Sequence, residues 1–127
     1  MILIIQGQLP HYRRALFNAL CSIDEVTVIH SGVPSRLSDD SFREIILPVH
    51  TFGPFRFQIG LLEVIKEFKP QTVIAMFDLR WVNSFRAMYR YDRYLKWIWW
   101  GLDRGRTFFA TQLKVLFARR SNPIIFY

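Results

Sequence analysis

The sequence predicts an α/β domain built on a mostly parallel sheet. Three observations carry that prediction. Apolar runs of strand length recur along the chain, at residues 1–5, 26–30, 72–77 and 97–100. Between them lie longer segments whose apolar residues repeat at helical spacing. Strands joined by ten or more residues with helical pattern are crossover units, which pair in parallel rather than as hairpins.

Met1-Ile2-Leu3-Ile4-Ile5 is continuous apolar sequence, the mark of a strand buried on both faces. Pro10 suits the first turn of the next helix. Tyr12, Ala15, Leu16, Ala19 and Leu20 then fall at i, i+3, i+4, i+7 and i+8, which predicts the core-facing side of that helix. Residues 26–30 form the second strand, broken by Ser31-Gly32-Val33-Pro34-Ser35. Residues 35–43 are polar and read as loop. A short third strand is expected over 44–49, and a long loop over 50–60 with Gly53-Pro54 as its turn signal. That loop is the expected mobile element.

Leu61, Leu62, Ile65 and Phe68 mark a helix closed by Lys69-Pro70. Residues 72–77 are the fourth strand. Trp81, Phe85, Met88 and Leu95 share one side of a helix predicted over 81–95. Residues 97–100 are the fifth strand, and 106–120 a helix through Phe109, Leu113, Leu116 and Phe117. Residues 123–127 begin a sixth strand. Right-handed crossovers between about six such strands predict a three-layer, doubly wound, Rossmann-like domain of strand order 3-2-1-4-5-6.

The chain has 127 residues, the size of one domain, and its 51% hydrophobic content excludes a disordered chain. Cys21 is the single cysteine, so no internal disulfide forms, which suits a reducing compartment. It reads as a small core residue. The apolar N-terminus lacks basic residues and stops at Gln6-Gly7-Gln8, unlike a signal peptide, and no segment is long enough to span a bilayer. A cytoplasmic protein is expected, with a peripheral place on the inner membrane face as an option. The net charge of +7 is unevenly placed. Residues 80–127 carry ten Lys and Arg against Asp92 and Asp103, whereas residues 1–79 carry seven against eight acidic residues. A basic half favours an anionic partner such as phosphate or acidic lipid.

In doubly wound sheets ligands sit beyond the carboxyl ends of the strands. That rule selects residues 6–10, 31–35, 78–81 and 101–106. Gly7 either lets a ligand approach backbone ahead of a helix start or simply permits a tight turn. The loop is not a dinucleotide fingerprint. His11 is either a general base or phosphate partner, or a capping residue. Asp78, followed by Arg80, could hold a sugar hydroxyl, act as a base, or cap the next helix. Trp99-Trp100-Gly101 ends a strand ahead of Asp103 and Arg106. One indole can stack on a sugar and the arginines can hold phosphate, while the other indole belongs to the core. Arg86, Arg90 and Arg93 recur at i, i+4 and i+7 among Tyr89, Tyr91 and Tyr94, which suits either a membrane-surface helix or an ordinary solvated face. No RNA-binding signature accompanies them, so nucleic acid is disfavoured. His30 and His50 have no partner at metal-ligand spacing, so no metal site is expected.

The loop Gln6 to Arg13, the segment 26–32 (VTVIHSG), residues 70–81 (PQTVIAMFDLRW), Trp99-Trp100-Gly101 and residues 118–127 together resemble the N-terminal domain of family 4 glycosyltransferases. These are retaining, nucleotide-sugar-dependent enzymes of the two-domain GT-B architecture. The resemblance implies an acceptor-binding half for surface polysaccharide or glycolipid synthesis, inactive alone. The nucleotide sugar, a co-substrate rather than a cofactor, and its donor motif belong to a C-terminal domain absent from this sequence. Gly7 and Gln8 match the loop facing the donor diphosphate. His11, Tyr12, Arg13, Asp78, Arg80, Trp100, Gly101, Asp103 and Arg106 would line the acceptor side. Leu102 stands where many relatives carry a His, so no catalytic residue is matched. The expected partners are a sugar or glycolipid acceptor, the donor domain, an anionic membrane surface, and a second copy through the uncovered edge at 124–127. The alternative is a non-catalytic α/β module that binds an anionic membrane surface or a protein partner.

Overall fold

The computed structural model describes residues 1–35, 37–101, 108–119 and 122–126. In chain order the elements are β1 (Ile2–Ile5), a 3₁₀ turn (His11–Arg13), α1 (Arg14–Leu20), β2 (Val26–His30), β3 (Arg43–Ile46), β4 (Val49–Phe52), β5 (Phe55–Gln58), α2 (Leu61–Phe68), β6 (Thr72–Met76), α3 (Val82–Tyr91), β7 (Lys96–Gly101), α4 (Phe108–Ala118) and β8 (Asn122–Phe126). The main sheet is parallel. Its strands run β3-β2-β1-β6-β7, and β8 adds alongside β7. β4 and β5 form a separate antiparallel hairpin.

The register fixes where a ligand can sit. Ile5 pairs with Ile29 on one side and with Ala75 on the other. The carboxyl ends of β2, β1 and β6 are therefore level, and the loops leaving them share one edge of the sheet. The path of the chain reverses there, since β1 is flanked by β2 on one side and β6 on the other.

Successive residues of a strand point to opposite faces, and both faces here are apolar. Leu3, Ile5, Val73, Ala75, Trp97 and Trp99 pack on one face with Leu61 and Ile65 of α2 and Phe85 and Met88 of α3. Ile4, Val26 and Val28 pack on the other with Phe17 of α1, Leu9 and Phe42. Trp99 stacks on Phe85 with ring centroids 4.6 Å apart. Such a pair is worth about 1 kcal/mol beyond its buried area. Trp100, the next residue, lies on the α1 face, edge-on to Phe17 at 6.1 Å.

Four expectations are corrected. The predicted core face of the first helix points outward: Tyr12 is 75% exposed and Leu16 47%, whereas Arg13 and Arg14 are 6% and 5% exposed and Phe17 is buried. The buried arginines have partners far away in sequence. Arg14 pairs with Asp40, donates to the Ser35 carbonyl oxygen and, at 2.7 Å, to its hydroxyl. Asp40 also accepts from Asn18 and from the Leu37 backbone N–H, so the polar 35–41 segment is tied down to α1. Burial pushes the Asp40 carboxyl up, but these donors and the Arg14 charge outweigh it and hold it below its ordinary value.

The third strand is Arg43–Ile46, ending before Pro48, which cannot donate to a ladder. The 50–60 loop is instead the β4–β5 hairpin, with Gly53 at φ 57° in its turn. The hairpin is pinned at two points: near its turn the Arg56 N–H donates to the Arg80 carbonyl at 2.7 Å, and at its base the Ile59 N–H donates to the Pro48 carbonyl at 2.8 Å. α3 ends at Tyr91, so Arg93 lies in the following turn and not on the helix.

Burial raises the Cys21 thiol above its ordinary value against a smaller lowering by a Val26 backbone hydrogen bond, and Cys21 packs against Phe17 and its neighbours. That is the environment of a partly buried thiol at the margin of the core, with its reactivity lowered. Among the described residues no helix is long and apolar enough to cross a membrane.

Candidate functional site

An open crevice of about 570 Å³ lies at the carboxyl ends of β1 and β2. Gln8, Leu9 and His11 line it from the loop after β1, and Ser31, Gly32, Val33 and Ser35 from the loop after β2. This volume is in the range of small-molecule sites, about 300–1,000 Å³. Its polar groups are an amide, an imidazole, two hydroxyls and backbone. Among the described residues no carboxylate, lysine or arginine lines it.

The lining groups are held from behind. The Ser31 N–H donates to the Gly7 carbonyl at 3.0 Å, joining the two loops. The Ser31 hydroxyl accepts from Gln58 Nε2 at 3.1 Å, and Gln58 Nε2 also donates to the Gln6 carbonyl at 2.9 Å. Asn83 Nδ2 donates to the Gln58 carbonyl at 2.7 Å. The Ser35 hydroxyl accepts from Arg14. Both serines thus use acceptor capacity on protein donors and keep a proton to donate into the crevice.

His30, fully buried, orients the second loop. Its Nδ1 accepts from the Gly32 N–H at 3.1 Å, so the opposite nitrogen, Nε2, carries the proton that goes to Glu44 Oε1 at 2.6 Å. Glu44 Oε1 also accepts from the Ser35 N–H at 3.3 Å. With both ring nitrogens engaged inside the fold, His30 is a positioning residue.

The sequence-derived candidates fall into separate places. Gln8 and His11 are exposed and line the crevice. Gly7 is behind it. A β-carbon there would meet the indole of Trp81, which fills the space expected to admit a ligand. Tyr12 and Arg13 turn to the α1 face, where they border a smaller apolar groove of about 260 Å³ with Leu16, Trp100 and Ile125. The Arg13 guanidinium lies 4.3 Å from the Trp100 ring centroid and donates to Gln6 Oε1. Trp100 is therefore covered by a cation in place of a sugar.

Asp78 and Arg80 pair with each other, through Arg80 Nη2 at 2.6 Å and Nε at 3.0 Å, and the Arg80 N–H also donates to Asp78. Burial pushes the Asp78 carboxyl up, but hydrogen bonds from Arg80 and the charges of Arg80 and Lys114 prevail and hold it low. The Asp78 hydrogen bond and charge raise Arg80 in turn. A carboxylate held low is a weak base, which leaves Asp78 the turn-forming role. Gly101 packs against Phe77, so the ends of β6 and β7 approach closely. Gly7 through Trp81, Asp78, and Gly101 through Phe77 thus converge on one edge. Asp103 and Arg106 lie outside the described residues. Arg86 and Arg90 border a different groove, between α2 and α3, and Arg93 is exposed beyond it.

The carboxyl-end rule selects the 31–35 loop, but not Ser31 and Ser35 as its donors. Gln58 carries no sequence signal, because its role depends on a hairpin folding back onto β1. Among the described residues no group of three His, Cys, Asp or Glu side chains gathers as a metal site would require. No family model, curated protein or solved structure matches the chain.

Proposed function

We propose that this chain is a Rossmann-like sugar-binding domain, the acceptor half of a retaining, nucleotide-sugar-dependent glycosyltransferase whose donor half is a second domain. One observation carries the reading: the carboxyl-edge crevice presents neutral hydrogen-bonding groups, pre-oriented by buried partners, with no fixed charge among the described residues that line it. Such a site suits the hydroxyls of a sugar, which pair with amides, imidazole and hydroxyls without the desolvation of a charge. It suits a diphosphate poorly, which would call for cations or a row of backbone N–H groups. The acceptor role therefore has more support than the donor-diphosphate role of Gly7 and Gln8.

In this reading Gln8 and His11 hold the sugar from one side and Ser31 and Ser35 from the other. Among the described lining side chains, His11 is the one able to take a proton from an acceptor hydroxyl. The test is saturation-transfer NMR with glucose, galactose, N-acetylglucosamine and mannose. Transfer to at least one sugar, lost in Gln8→Ala and Ser31→Ala, supports the proposal. Absence of transfer to all four, or transfer unchanged in both variants, rejects it.

A further inference from the structure

We propose that the groove between α2 and α3 is a binding site for an acidic phospholipid. The groove has a volume of about 550 Å³ and is lined by Leu62, Val82, Phe85, Arg86, Tyr89 and Arg90. It is separate from the carboxyl-edge crevice, and the proposal does not depend on the sugar reading.

The lining divides into two chemistries. Leu62, Val82 and Phe85 supply apolar surface. Arg86 and Arg90 are one helical turn apart, so their guanidinium groups rise on the same side of α3. Both are exposed, and neither is in an ion pair among the described residues. Like charges at this spacing cost a helix stability, and among the described residues no carboxylate lines the groove to offset it. Tyr89, on the same turn, is 42% exposed, with the amphipathic ring that favours a boundary between water and hydrocarbon. The Tyr91 hydroxyl reaches the Leu62 carbonyl at 3.5 Å, and Phe85 stacks on Trp99. The two walls are thus fixed against each other and against the sheet before any ligand arrives.

Two guanidinium groups over an apolar groove match a phosphodiester that carries a hydrocarbon chain. The phosphate oxygens take the arginines, and the first methylenes of the chain cover Leu62 and Val82. Inorganic phosphate would leave the apolar surface unused. Nucleic acid would need a longer basic track with open rings for stacking, and Phe85 is already buried in a stack. The excess of basic residues beyond residue 79 supplies the wider field that draws the chain to an anionic bilayer.

The test uses the full chain and soluble dihexanoyl phosphatidylglycerol, followed by calorimetry. Its controls are dihexanoyl phosphatidylcholine and inorganic phosphate. The expected result is binding of the phosphatidylglycerol alone. Arg86→Ala with Arg90→Ala should weaken it roughly thirtyfold, the equivalent of about 1 kcal/mol for each cation near an anionic surface. Lys96→Glu, at the amino end of β7, should leave it unchanged. Val82→Glu, which places a carboxylate in the groove, should abolish it and serves as a second probe if the double variant does not fold. Equal affinity in wild type and the folded variants overturns the proposal. So does equal binding of inorganic phosphate, which would mark a plain anion site, or of phosphatidylcholine, which would mark an uncharged apolar patch.

Discussion

A β-carbon on Gly7 would lie 2.5 Å from Cζ2 of Trp81. No real pair of carbons sits that close, so the absent side chain makes room for the indole. Trp81 is in turn covered by the Arg56 guanidinium, 5.5 Å from its ring centroid, and paired to Arg56 through backbone. One glycine thus allows the β1 loop, the start of α3 and the β4–β5 hairpin to close on one another. Gly7→Val is expected to destabilise the fold by about 1–3 kcal/mol, the usual cost of overpacking. Trp81→Leu in the same chain should recover part of that loss. Urea unfolding of the four members of the cycle measures it, and additive losses would show that the two residues do not compete for space.

Asp40 and Arg14 form a buried pair, with side-chain exposures of 2% and 7%. Asp40→Asn should cost about 3 kcal/mol near neutral pH, because the guanidinium loses its counter-charge in a site closed to water. The pH dependence has a definite sign. The folded-state carboxyl is held below its ordinary value, so its contribution is complete above the unfolded value of about 3.9 and disappears as pH falls through the folded one. Melting temperatures of wild type and Asp40→Asn should therefore differ most above about pH 5 and converge in acid. A constant gap across the range would contradict the pairing.

Gln58 ties the hairpin to the crevice by donating to both Gln6 and Ser31. Gln58→Leu keeps the volume and removes the donor, at an expected cost of about 1–2 kcal/mol. Amide hydrogen exchange should quicken at Arg56, whose N–H ties the hairpin to Arg80, and at Ile59, whose N–H closes its base. Unchanged exchange would mean that the backbone bonds hold the hairpin unaided.

Asp78 and Arg80 make a local pair, with Arg80 more than half exposed. Asp78→Asn is expected to change stability by less than about 1 kcal/mol, as is usual for exposed pairs. It should leave sugar binding unaltered, because Asp78 does not line the crevice. A large loss of binding would return Asp78 to the site.

The strands were legible because runs such as Ile2–Ile5 and Val26–His30 are buried on both faces and need no distant partner to be recognised. Trp99 and Trp100 likewise take opposite faces because strand side chains alternate. The face of α1 was not legible. Periodicity assigns its apolar residues to the core, but Asp40, Ser35 and Trp100 bury Arg13 and Arg14 instead, and none of these is near α1 in sequence. The hairpin was hidden for a related reason. Phe55-Arg56-Phe57-Gln58 alternates as a strand should, yet its anchor is the backbone at Arg80 and Gln6. The rule of carboxyl ends selects the loops that line the crevice, whereas which of Gly7 and Ser31 faces it depends on where Trp81 packs.

The most direct measurement of the sugar-site reading is a ¹H–¹⁵N correlation titration of the full chain with the sugar that gives the strongest saturation transfer. The account predicts shifts concentrated at the amides of Gln8, His11, Ser31, Gly32 and Ser35, with the Arg86 and Arg90 amides unmoved. Shifts absent from that loop pair, or centred on α3 or on the Tyr12–Trp100 groove, would contradict it.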